Sequence, residues 1–243
     1  MNTLRRGSVE WIICAAFILT EAVLFGCVLY TTFVTRGGDG ARYAVIVCCA
    51  LYALLMLLLN LRKPGKAAHP AAEKAAVYLT AAFLFSCAAD FFLVFRPEKA
   101  LPAVCLFGIA QVFHALRIGA FRGKGALKWL WARILLIGSG MVTAALLRVR
   151  DPLIHAGIFY FFNLVLSFAE SIVLTQKDRR FLILPIGLFL FILCDITVGI
   201  NGMGSSLHLS GKLIRISADL TYVFYIPSQV LIALAGQSVQ KES

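Results

Sequence analysis

Two carboxylic acids, Asp90 and Asp195, lie inside long apolar stretches where an ionised carboxylate is unfavourable. Asp90 falls within residues 83–95 and Asp195 within residues 182–200. Moving a charge to the centre of a bilayer costs from roughly 3 to more than 10 kcal/mol. Carboxyls that occur in such segments usually face the interior of a helical bundle, where they carry a proton, an ion or a reaction.

This pair of residues has the chemistry that general acid–base catalysis needs. A carboxyl in apolar surroundings can stay protonated near neutral pH while a second, better solvated carboxyl ionises. One group can then donate a proton while the other accepts one. A proton-coupled carrier needs the same two states, whereas a purely structural carboxyl would only hold helices together by hydrogen bonds.

Other polar side chains recur three, four or seven residues apart within the apolar stretches, so each set lies on one helical face. The three sets are Gln111 and His114 after Gly108; Tyr160, Asn163, Ser167 and Glu170; and Asp219, Tyr222 and Gln229. Polar stripes of this kind indicate a bundle that surrounds polar or water-filled space. The sequence assigns no role to Glu21 or Glu170.

Motifs for other kinds of site are missing from the sequence. One histidine and two aspartates could bind zinc in principle, but no HxxxH or HxxE spacing supports it. Neither Gly-x-Ser-x-Gly nor a phosphate-binding loop occurs. The seven cysteines lie in apolar spans without metal-type spacing, as expected for small packing residues. We therefore expect neither a metal nor a cofactor.

Membrane-spanning helices must position these residues. The chain is 60% hydrophobic and only 14% charged, against about a quarter charged in soluble domains. Apolar runs of about 20 residues recur, the length that crosses a ~30 Å hydrocarbon core as a helix. The sequence predicts an all-α transmembrane bundle that forms one domain over residues 1–243. Its eight spans are predicted at roughly 10–34, 42–61, 75–95, 100–120, 129–147, 153–175, 181–200 and 216–236.

The net charge of +11 is explained by basic residues near the ends of the spans. We interpret them as topology determinants that contact anionic lipids, and we expect no nucleic-acid binding. About 15 Lys and Arg residues fall on the side of the two termini and about 8 on the other side. The positive-inside rule then predicts both termini in the cytoplasm. In this orientation Asp90, Asp195 and Asp219 lie at similar depth in the outer half, and His114 lies about 10–15 Å further in.

The order of these features resembles the YhhN family of eight-span membrane proteins, which includes lysoplasmalogenases. The similarity covers about residues 73–236: Asp90 in the third span, residues 108–114 in the fourth, 187–195 in the seventh and 225–233 in the eighth. Three departures from the family pattern mark a diverged member. Ala89 replaces a usual Gly, Cys194 replaces a usual Ser, and Arg117 ends the fourth-span motif in place of the usual aromatic residue.

The resemblance implies hydrolysis of the vinyl ether bond of a lysoplasmalogen, which gives a fatty aldehyde and a glycerophospho-base. The expected partners are the lysophospholipid substrate and the lipids of the cell membrane. We take Asp90, Asp195 and His114 as candidate catalytic residues. The candidate substrate-binding residues are Gln111, Asn163, Asp219, Tyr225 and Gln229.

Two other functional classes remain open at the level of sequence. A small proton-coupled transporter would use the same carboxyls, but no inverted repeat or pair of broken helices supports it. A non-catalytic scaffold or regulator is the third class, and the departures at Ala89 and Cys194 give it mild support.

The charge asymmetry predicts the topology directly. A green fluorescent protein fused to the C-terminus should fluoresce in the cytoplasm, because both termini are predicted on the side that carries more basic residues. An alkaline phosphatase fused at the same point should be inactive, and one fused after the third or fifth span should be active. An active phosphatase at the C-terminus would refute the predicted orientation.

Overall fold

The computed structural model describes residues 2–35, 39–62, 70–122, 125–204 and 208–238. These residues form eight long helices with short helical turns, and they contain no β-strand. The helices are α1 (Asn2–Tyr30), α2 (Asp39–Leu61), α3 (Pro70–Phe95), α4 (Ala100–Ala120), α5 (Ala126–Leu146), α6 (Pro152–Lys177), α7 (Ile183–Met203) and α8 (Gly211–Ser238).

All eight helices are long and apolar enough to cross a membrane, so the predicted all-α, multi-pass class is confirmed. The boundaries of the apolar segments within these helices agree to within about five residues: the span predicted at 75–95 is observed at Pro70–Phe95, and that at 216–236 at Gly211–Gly236. The orientation of the termini stays a prediction. Below, "outer end" means the end of the bundle that carries Asp39, Arg96 and Asp151.

Part of the basic-residue count cannot be placed, and part of it needs correction. Some counted residues lie outside the described part of the chain or have undescribed side chains: Arg5, Arg6, Arg36, Lys63, Lys66, Lys124 and Lys241. Arg117 and Arg133, counted with the basic residues of the inner side, are instead buried inside the bundle, with 4% and 8% exposure. Both belong to the larger group, so the asymmetry between the two sides remains.

Local sequence signals fix several helix ends. Asp151 caps α6, because its Oδ1 accepts a hydrogen bond from the Leu153 amide at 2.8 Å and Pro152 occupies the first turn. After α6, Asp178 accepts hydrogen bonds from the Arg180 side chain and amide, at 2.8 and 2.9 Å. These hydrogen bonds hold the pKa of Asp178 below its usual value.

The core of the bundle is built from six of the eight helices. Within the most apolar stretch of each helix, 39–44% of residues are buried for these six, but only 17% for α1 and 11% for α5. The closest pairs are α7 with α8 and α3 with α4, and α6 packs against α4. The peripheral helices α1 and α5 pack mainly on α2 and α6. The candidate residues therefore belong to the helices that form the core.

A glycine allows the close approach of α7 and α8. A Cβ atom at Gly187 would lie 3.2 Å from the Ile232 backbone nitrogen and 3.1 Å from Leu231 Cβ. Small residues commonly permit such backbone contacts between membrane helices. Further out, the Thr197 and Thr221 hydroxyls are hydrogen-bonded at 3.1 Å across the same interface. These contacts fix the register of α7 on α8, and with it the depth of Asp195.

Candidate active site

The first carboxyl is hydrogen-bonded between α3 and α8. The Tyr225 hydroxyl donates to Asp90 Oδ2, and both side chains are buried. Pro227 lies inside α8, where it removes the amide hydrogen that would bond to the Val223 carbonyl. The Ser228 hydroxyl donates to the Tyr225 carbonyl at 2.6 Å. Tyr225 thus sits at a local irregularity of its helix while it holds Asp90.

The second carboxyl makes an equivalent contact between α6 and α7. The Tyr160 hydroxyl donates to Asp195 Oδ2 at 2.6 Å. Asp195 is partly accessible, in contrast to the buried Asp90. Tyr160 begins the polar stripe seen in the sixth span. The two contacts, Asp90 with Tyr225 and Asp195 with Tyr160, are called the carboxyl–tyrosine pairs below.

Phe191 lies between the two carboxyl–tyrosine pairs. Its ring centroid is 5.9 Å from that of Tyr225 and 6.4 Å from that of Tyr160, both edge-on. The structure therefore brings both predicted aspartates into one layer of the bundle.

A second polar layer lies on the inner side of the pairs. Gln111, His114 and Gln229, called the amide layer below, are 0–2% exposed. Gln111 Oε1 and Nε2, His114 Nδ1 and Gln229 Oε1 have no hydrogen-bond partner among the described residues. Buried polar atoms nearly always have partners, so this layer is suited to bind water or a polar group of a ligand.

The helix registers give the distance between these layers. Gln229 follows Tyr225 by four residues on α8, which is roughly 6 Å toward the inner end. His114 contacts Phe83, with ring centroids 6.3 Å apart, and Phe83 is seven residues inward of Asp90. His114 is thus roughly 10 Å from the Asp90 level, near the separation predicted from sequence. It makes no hydrogen bond to either aspartate.

Asn163 belongs to a different cluster, which joins α5 to α6. Arg133 Nη1 donates to Asn163 Oδ1 at 3.0 Å, and Nη2 donates to Ser167 at 3.2 Å and is ion-paired with Glu170 Oε2 at 3.2 Å. Asn163 Nδ2 donates to the Phe159 carbonyl at 2.9 Å. Both polar atoms of the Asn163 side chain are therefore engaged, so the structure does not bring it to the carboxyl–tyrosine pairs. Glu170, given no role from sequence, has its partner here.

Arg122 extends this cluster at the inner end of α4. Its Nη2 donates to the Glu170 carbonyl at 2.7 Å, and its guanidinium lies 4.5 Å from the Trp129 ring centroid. Burial lowers the pKa of Arg122, and the nearby Glu170 carboxylate opposes that effect.

Asp219 lies further out than the two paired aspartates. It precedes Tyr225 by six residues on α8, which is roughly 9 Å along the helix. Asp219 is partly exposed and makes no hydrogen bond or ion pair with another described residue. The expectation that three carboxyls share one depth thus fits Asp90 and Asp195 but not Asp219. Among the described residues, no group of three or more His, Cys, Asp and Glu could hold a metal ion.

Comparison with known proteins identifies the family. The chain matches the YhhN family over residues 41–236, which includes both carboxyl–tyrosine pairs and the amide layer. The chain belongs to the YhhN family. This confirms the resemblance inferred from the motifs. No curated protein and no solved structure matches the chain.

Two departures from the YhhN pattern lie beside the aspartates of this YhhN protein. Ala89 is fully buried next to Asp90, and Cys194 is 3% exposed next to Asp195. The Cys194 carbonyl accepts a hydrogen bond from the Thr197 hydroxyl at 2.6 Å. Both carboxyl–tyrosine pairs form with Ala89 and Cys194 at these positions.

The buried ion pair of this YhhN protein predicts a pattern of stabilities. Glu170→Met should lower the free energy of unfolding by about 3–5 kcal/mol, because it leaves the Arg133 guanidinium buried without its counter-ion. The double variant Arg133→Met/Glu170→Met should be closer to the parent, since it removes both charges. Denaturant unfolding in detergent measures the three proteins. A single variant as stable as the parent would show that the ion pair contributes nothing.

Proposed function

We propose that this YhhN protein is a hydrolase of the cell membrane that cleaves the vinyl ether bond of a lysoplasmalogen. The products are a fatty aldehyde and a glycerophospho-base. The main support is the convergence of two carboxyl–tyrosine pairs in one layer of an apolar bundle, because vinyl ether hydrolysis needs one acid and one base. Membership of the YhhN family agrees with this reaction.

The first step is proton transfer to carbon. The protonated carboxyl of one pair gives its proton to the alkene carbon that is not bonded to oxygen. The electron pair of the double bond forms the new C–H bond, and an oxocarbenium ion results. The ionised carboxylate of the other pair stabilises this cation. The apolar surroundings favour a proton on the more buried carboxyl, while the better solvated one can ionise.

The second step is addition of water. Water that reaches the aspartate level from the amide layer adds to the oxocarbenium carbon, and the ionised carboxylate accepts its proton. The resulting hemiacetal then loses its hydroxyl proton to the first carboxylate while the bond to the glycerol oxygen breaks. The second carboxyl protonates that oxygen. One water is consumed, and both carboxyls return to their starting states.

Apart from Asn163, the residues around the two aspartates have roles that follow from their positions. Tyr160 and Tyr225 engage Oδ2 of their aspartates and leave Oδ1 for proton transfer. Gln111, Gln229 and His114 orient water rather than transfer the first proton, because they lie inward of the aspartates. Asp219 lies toward the outer end of the bundle. A contact between Asp219 and the substrate would therefore involve the polar head group of the lipid.

The proposal predicts the behaviour of amide variants of the two aspartates. Asp90→Asn and Asp195→Asn should each reduce aldehyde release from lysoplasmalogen by about 10²–10⁴-fold, because an amide cannot transfer the proton. The double variant should be little worse than either single one, since the two groups act as a unit. The assay uses purified protein in detergent, and Glu98→Gln, at an exposed position, is the matched control.

Size-exclusion chromatography shows whether each variant is folded. Near-parent hydrolysis by both folded amide variants would exclude the acid–base mechanism. Absence of hydrolysis by the folded parent, together with substrate counterflow in liposomes, would favour a carrier that uses the same carboxyls.

A further inference from the structure

Arg42, near the start of α2, lies about one helical turn outward of the Asp90–Tyr225 pair. Its guanidinium carbon is 4.2 Å from the centroid of the Tyr222 ring. Tyr222 precedes Tyr225 by three residues on α8, which is roughly 4.5 Å along the helix. A cation is thus held beside the candidate active site.

The neighbouring residue supports this placement independently. The Tyr43 hydroxyl is 3.3 Å from Cys87 Sγ, and Cys87 is one turn from Asp90 on α3. The Tyr43 ring also packs against Phe91, the residue after Asp90, with ring centroids 6.1 Å apart. The first turns of α2 therefore lie alongside the part of α3 that carries Asp90.

The Arg42 guanidinium is mostly buried, and one of its N–H groups has no hydrogen-bond partner among the described residues. Only 18% of its side chain is exposed, whereas its ion-pair partner Asp39, 3.2 Å away, is 59% exposed. Arg42 Nη2 donates to Thr32 Oγ1 at 3.3 Å, and Nε is buried with no hydrogen-bond partner among the described residues. An exposed carboxylate binds weakly because water screens it. A less solvated anion could therefore bind the guanidinium and use the free Nε–H.

We propose that Arg42 binds the phosphate of the lysophospholipid substrate. This rests on the function proposed above. A guanidinium presents paired N–H groups that match the oxygens of a phosphate, and stacking on Tyr222 fixes its plane. In a lysoplasmalogen, three glycerol carbons separate the phosphate from the vinyl ether oxygen, a span comparable to one helical turn. Phosphate at Arg42 thus places the vinyl ether in the layer of the two aspartates.

Binding of two inert analogues to the purified full-length protein tests the assignment. One is a 1-O-alkyl lysophospholipid, whose saturated ether cannot be hydrolysed by this route, and the other is the 1-O-alkylglycerol with the same chain and no phosphate. Arg42→Gln should weaken binding of the lysophospholipid by about 10–100-fold, as for loss of a charged hydrogen bond. Binding of the alkylglycerol should not change. Isothermal titration in detergent measures both affinities.

Three further variants separate phosphate binding from a structural role of Arg42. Asp39→Asn keeps the guanidinium and removes its intramolecular partner, so it should retain or strengthen lysophospholipid binding. Arg96→Gln removes an exposed positive charge at the same end of the bundle and should have no effect. Arg42→Lys keeps the positive charge but loses the paired N–H groups of the guanidinium. It should weaken only lysophospholipid binding, by several-fold. It also serves as the test if Arg42→Gln fails to fold.

Several results would overturn the assignment. These are an equal effect of Arg42→Gln on both ligands, no effect on either, or the same loss in Asp39→Asn. Inorganic phosphate that competes as strongly as the lipid would assign the site to free phosphate instead. Arg42-dependent binding by a protein that does not hydrolyse lysoplasmalogen would leave the phosphate site standing and remove the proposed reaction.

Discussion

Burial of two carboxyls in an apolar bundle is the constraint on which the rest of the structure depends. Neither Asp90 nor Asp195 can lose its hydration without a hydrogen-bond donor, and each finds one in a tyrosine on another helix. These contacts tie α3 to α8 and α6 to α7. Phe191 packs between the two tyrosines, so the register of one pair restricts that of the other. If α8 slid by one turn against α3, and α7 against α6, both carboxyls would lose their tyrosine partners.

Polar groups are arranged in layers along the same axis. Arg42 and Tyr222 lie toward the outer end, the carboxyl–tyrosine pairs come next, and the amide layer lies further in. In the proposed hydrolysis each layer has a different role: anion binding, proton transfer and supply of water. The apolar helices around them lower the local dielectric, which strengthens each electrostatic interaction and would keep bulk water away from the cation of the proposed reaction.

The sequence predicted the features that depend on local physics. Span length and hydropathy located all eight helices, and helical rise alone put Asp90 and Asp195 at one depth. The family motif pointed to Tyr225, but Tyr160 was seen only as one member of a polar stripe. Its pairing with Asp195 depends on how α6 packs against α7, and no periodicity within either helix encodes that register.

Arg117 and Arg133 show where counting basic residues near span ends was wrong. A basic residue near a span end usually reaches the membrane surface, so Arg117 and Arg133 were counted toward topology. In the structure Arg117 Nη1 donates to the Ile232 carbonyl at 3.2 Å, and Arg133 is paired with Glu170. Asn163, a predicted substrate-binding residue, accepts a hydrogen bond from Arg133 on α5, a contact that its polar stripe did not indicate. Contacts between different helices decide the positions of all three side chains.

Isotope labelling tests the central claim most directly. Purified protein is incubated with lysoplasmalogen in D₂O, and the aldehyde is reduced at once and analysed by mass spectrometry. The mechanism predicts one deuterium on the carbon next to the former aldehyde carbon, because the donated proton comes from a solvent-exchanging carboxyl. It also predicts equal amounts of aldehyde and glycerophospho-base. Aldehyde without deuterium at that carbon, or no aldehyde from the folded protein, would contradict proton transfer from the aspartate pair.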